Sequence, residues 1–89
     1  MSHITVTRPT EQELESLGVK DWPTWTCQVS SFEWRYDRPE ICYITQGKAT
    51  VRTPDGQVSF GQGDLVRFPQ GLRCTWDVTE PVHKHYKFT

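Results

Sequence analysis

From Thr24 onward, apolar and polar residues alternate with a period of two, and Gly or Pro interrupts the pattern every several residues. Successive side chains of a strand point to opposite faces, so this pattern predicts an antiparallel all-β fold. Within Ser31 to Asp37, Phe32, Trp34 and Tyr36 share one face, and Glu33, Arg35 and Asp37 share the other. The aromatic face is expected inside. Leu72 to Val78 divides as cleanly, with Leu72, Cys74, Trp76 and Val78 inward and Arg73, Thr75 and Asp77 outward. Trp25 with Cys27 and Val29, Ala49 with Val51, Val58 with Phe60, Val66 with Phe68, and Tyr86 with Phe88 form similar sets. Pro54-Asp55-Gly56 separates two such runs as a hairpin turn, the proline presetting φ and the glycine accepting a positive one. Helical signal is confined to Thr10 through Leu17, where Thr10 and Glu13 have capping-box spacing and Gly18 follows as a stop.

The strand Glu40 to Gln46 resists a simple assignment. One face carries Glu40, Cys42 and Ile44, while the other, with Ile41 and Tyr43, is also apolar. Periodicity predicts a strand buried on both sides and leaves the direction of Glu40 open.

Composition narrows the class. Eighty-nine residues, with four Trp, four Phe and three Tyr to fill a core, predict one domain over residues 1–89. Ten Lys and Arg against eleven Asp and Glu leave a net charge of -1, without the basic excess that nucleic-acid binding needs. No apolar run reaches the ~20 residues of a membrane span and no signal core opens the chain, so the expectation is a soluble, cytoplasmic protein. Cys27, Cys42 and Cys74 are odd in number and widely spaced, which argues for free thiols rather than disulfides or a thiolate zinc site.

Gly63, five residues, Pro69, one residue, Gly71, two residues and Cys74 reproduce the spacing of a cupin's second motif, with Cys74 in the place of its histidine and Val78 in that of its final Asn. Upstream, Glu40 and Gly47, separated by six residues, match the back half of the first motif, whose two histidine positions fall on Trp34 and Tyr36. Together with the closing Pro81-Val82-His83-Lys84-His85-Tyr86, these stretches resemble the small single-domain cupins of the ureidoglycine aminohydrolase and ethanolamine-utilisation group (DUF861). The resemblance runs from Trp22 to the C-terminus. It implies an RmlC-like jelly-roll antiparallel β-barrel with at most one short N-terminal helix, often dimeric, with a pocket inside the barrel, and it places Glu40 inside. The residues that would complete a metal centre are missing, so no metal and no cofactor are expected: a carboxylate and one thiolate fall short of the usual three ligands.

Trp34, Tyr36, Glu40, Cys74 and Trp76 are therefore the candidate lining of a ligand cavity, against the alternative that the aromatics fill the interior solid. A buried carboxylate is costly unless paired, and Glu40 is the candidate acid or base, its pKa expected to rise with desolvation. The competing role is a structural hydrogen bond to a neighbouring Tyr or Trp. Cys74 lacks an interior histidine to activate it as a nucleophile. His83 and His85 are expected on the face opposite Tyr86 and Phe88, beside Lys87. The expected function is binding of a small polar metabolite, with an enzyme acting on a small nitrogenous or carbonyl substrate as the alternative. No nucleic-acid or membrane partner is expected. Outward apolar residues such as Ile41 and Tyr43 predict a homodimer.

Overall fold

The structure, a computed structural model, describes residues 3–89. It contains strands β1 (Thr5–Thr7), β2 (Thr24–Cys27), β3 (Ser30–Arg35), β4 (Glu40–Thr53), β5 (Gly56–Gly61), β6 (Leu65–Phe68) and β7 (Arg73–Phe88), with helix α1 (Glu11–Leu17) and a 3-10 turn at Val19–Asp21. The capping box forms as the spacing predicts: Thr10 Oγ1 accepts from the Glu13 amide, and the Glu13 carboxylate accepts from the Thr10 amide. Gly18 closes the helix in the left-handed conformation.

Every strand pairing is antiparallel. The long strands β4 and β7 run the length of the molecule side by side. At one end they carry β5 and β3; at the other they carry β6, β1 and β2. The β4–β7 register breaks between Ile44 and Ala49. This irregularity changes which residues face inward: Glu40, Cys42 and Ile44 are buried before it, Ala49 and Val51 after it. The two halves so formed face each other across a common core. Trp76 sits near its centre, stacked on Phe32 and edge-on to Trp25 and Phe60, while Tyr36 stacks on Phe68 at 4.6 Å. Among the described residues β1, β2, β3 and β5 each have one partner strand, so the sheet is folded over and not closed into a ring.

Three inward assignments need correction. Trp34 shares the face of Tyr36 but is 49% exposed, because it lies where β3 reaches the open end of the core. Val29 is exposed, since β2 ends at Cys27 and the chain bends there. Phe88 is 39% exposed at the end of β7. The outer face of β4 differs in the opposite sense: Ile41 is buried, as are Val19 and Leu65, all outside the main core cluster. A recess lined by Leu14, Val19, Tyr43 and His85 shows the N-terminal helix and turn covering this face. Ile41 is thus buried within one chain, while Tyr43 beside it is partly exposed.

Gly47 sits at the register break with φ +92°, and a Cβ there would stand 2.0 Å from the Pro81 carbonyl oxygen. Close approach of β4 to β7 therefore requires glycine. Gly71, with φ +84°, has no atom within 4 Å of a Cβ. Gly47→Ala is expected to cost more than about 2 kcal/mol by urea denaturation, and Gly71→Ala only about 1–2 kcal/mol from backbone strain. Equal losses would contradict this reading of the bend.

Candidate functional site

Between the two halves, a cavity of about 300 Å³ opens at the end of the core where β3 and β7 terminate. Trp25 from β2, Phe32 and Trp34 from β3, and Trp76, Tyr86 and Phe88 from β7 supply an aromatic wall. Tyr36, just after β3, adds its ring and hydroxyl; Trp76 Nε1 donates to that hydroxyl at 3.1 Å. Glu40, from the start of β4, and Lys84, from β7, are the charged residues of the lining.

These two form an ion pair. Lys84 Nζ donates to Glu40 Oε2 at 2.8 Å, and each residue is 6% exposed. The ammonium also lies 4.8 Å from the ring centroids of both Trp25 and Trp76, within cation–π range. Taking two charges from water costs several kcal/mol per ion, offset by their mutual attraction and the aromatic faces. Glu40 is thus inside, as the family resemblance implied, but it is no isolated carboxylate.

Four of the five expected lining residues come together: Trp34, Tyr36, Glu40 and Trp76. Cys74 does not line this cavity. It points inward but is buried in the core cluster, its thiol donating to the Trp34 carbonyl at 3.6 Å. Lys84 is not among the residues that the motifs single out, yet the alternation that turns Tyr86 and Phe88 inward turns Lys84 inward too. His83 and His85 lie on the opposite face; His83 is exposed, and His85 donates from Nδ1 to the Trp22 carbonyl at 3.1 Å.

Burial governs the thiols. It pushes Cys42 up from 9.0 to about 12, where Lys84 opposes and Glu40 adds to the rise. Burial first and Glu40 second push Cys74 to about 11. The Tyr36 phenol is raised from 10.0, again chiefly by burial, and keeps its proton throughout the physiological range.

Comparison with known proteins agrees with this architecture. The model of the EutQ-like cupin domain matches residues 14–86. The chain belongs to that family. A DUF861-family protein of known structure from Thermotoga maritima is 48% identical, with a TM-score of 0.96 over 98% of this chain and 100% of that one. The EutQ protein of Clostridium difficile shares the fold at 18% identity and a TM-score of 0.68, covering 96% of this chain and 66% of that one. A DUF861-family protein of unknown function from Pseudomonas syringae pv. tomato is 24% identical, with a TM-score of 0.67 over 74% of this chain and 29% of that one. No functionally curated protein matches.

The residues of this EutQ-like cupin do not fit a cupin metal centre. Trp34, Tyr36 and Cys74 stand at the histidine positions, Cys74 is turned away from the cavity, and the Glu40 carboxylate is engaged by an ammonium. Among the described residues no three His, Cys, Asp or Glu side chains converge. No described helix is long and apolar enough to cross a membrane.

Two outcomes follow. Glu40→Gln and Lys84→Met each leave the other partner's charge buried and are expected to destabilise by about 3–5 kcal/mol, whereas the double variant loses less than the sum; additive losses in chemical denaturation would show that the two groups do not interact. The raised thiols and phenol set the alkaline limb. Because the folded state holds these protons more tightly than the unfolded chain, their stabilisation is complete below pH 9.0 and declines as pH rises through about 11 and 12. Denaturation midpoints that stay flat from pH 8 to 11 in wild type would contradict this assignment.

Proposed function

We propose that this domain binds a small polar metabolite in the cavity over the Glu40–Lys84 pair, inside a sheet that wraps as a cupin jelly-roll barrel. The observation that carries the reading is a buried ion pair on the wall of an open, aromatic cavity. For stability alone, apolar residues of the same volume would serve as well or better. A charged pair at the edge of a space large enough for a metabolite instead provides a fixed donor and acceptor for orienting a ligand. Trp34, half exposed and edge-on to Tyr36 at 6.4 Å, forms the lip of that space. The names of the solved relatives give no ligand to this chain.

An enzymatic reading rests on the same pair. Glu40 shares the cavity lining with Lys84 and Tyr36, so Glu40 would act as acid or base on a small nitrogenous or carbonyl substrate. Turnover lost in Glu40→Gln with binding retained would favour it.

Screening small polar metabolites by thermal shift and tryptophan fluorescence tests the binding role. At least one compound is expected to raise the melting temperature and shift the emission. Trp34→Ala, at a half-exposed position, is expected to weaken that compound at least tenfold while leaving the fold intact. Binding unaffected by Trp34→Ala would place the ligand elsewhere.

A further inference from the structure

The cavity has aromatic walls and a pair of opposite charges that already satisfy one another. An anionic ligand gains from Lys84 only by drawing it from Glu40, which leaves a carboxylate buried without its cation. A cationic ligand gains from Glu40 only by displacing Lys84, whose ammonium also lies against the rings of both Trp25 and Trp76. Either exchange replaces one buried ion by another and gains little. A ligand that leaves the pair intact meets flat aromatic surfaces and, in the same lining, the nearly buried polar groups of Glu40, Lys84 and Tyr36. Tyr36 accepts from Trp76 and retains its own proton to donate, as its raised pKa requires. About 300 Å³ accommodates a six-membered ring with one substituent.

We propose that the cavity selects a neutral, planar ligand bearing both a hydrogen-bond donor and an acceptor, of the carboxamide or lactam class, and discriminates against small ions of either sign. This rests on the binding role argued above and adds its ligand class.

Three 3-substituted pyridines of similar size and different charge test it: nicotinamide, nicotinate and 3-(aminomethyl)pyridine, titrated near pH 7 with calorimetry and the indole N–H signals of Trp25 and Trp76. Nicotinamide is expected to bind at least tenfold tighter than either ion. Glu40→Gln, which frees the ammonium, is expected to improve nicotinate at least tenfold relative to nicotinamide; Lys84→Met, which frees the carboxylate, is expected to do the same for the amine. Should either single variant fail to fold, Glu40→Gln with Lys84→Met keeps the cavity uncharged and must preserve the neutral preference. A charged probe that binds wild type as well as nicotinamide overturns the selectivity and leaves the binding role standing. Folded single variants whose preferences do not move overturn the pair as the selector. Failure of all three probes to shift the Trp25 and Trp76 signals overturns the ligand class, and the binding role falls with it only if the metabolite screen also finds no ligand.

Discussion

A carboxylate and an ammonium 2.8 Å apart inside an aromatic chamber impose the strictest requirement on this molecule. Each charge is tolerated only because the other is held beside it, which requires β4 and β7 to keep a fixed register. The pairing of Glu40 with Phe88 and of Ile44 with Lys84 puts both side chains on the inner face of one ladder. A one-residue slip would send either charge to the opposite face and strand its partner. The break near Gly47 is confined to the middle of the ladder, so it folds the sheet over without disturbing this end.

The aromatic core and the pair depend on each other. Trp76 packs against Phe32, Phe60 and Phe68 with one part of its ring, donates to Tyr36 from its nitrogen, and offers its face to Lys84. Packing and charge therefore converge on one residue that is 2% exposed. The cavity exists where this packing runs out: Trp34, Tyr86 and Phe88 continue the aromatic lining beyond the closed core.

Local signals foretold local structure well. The helix cap at Thr10, the hairpin at Pro54-Asp55 and the shared face of Phe32, Trp34 and Tyr36 all depend on neighbours within a few residues. Alternation assigns a face but carries no information about depth along the strand, so Trp34 and Phe88 appeared as core residues when they rim an opening. Nor does it say which part of the interior an inward residue meets; Cys74 faces in yet packs away from the cavity. Ile41, on the outer face of β4, is 4% exposed, and alternation along its own strand gives no sign of that burial. A lysine in an alternating strand is ordinarily solvated, and only its carboxylate partner 44 residues earlier shows why Lys84 is not.

The central claim, that Lys84 is a charged, immobilised partner of Glu40 held against two indoles, is tested most directly by proton–nitrogen NMR of the lysine ammonium groups. A buried, hydrogen-bonded ammonium should give slowly exchanging Nζ protons near neutral pH, with nuclear Overhauser contacts to the rings of Trp25 and Trp76 and loss of the signal in Glu40→Gln. Rapid solvent exchange, with Lys84 side-chain shifts like those of the exposed lysines and unchanged by Glu40→Gln, would contradict the account.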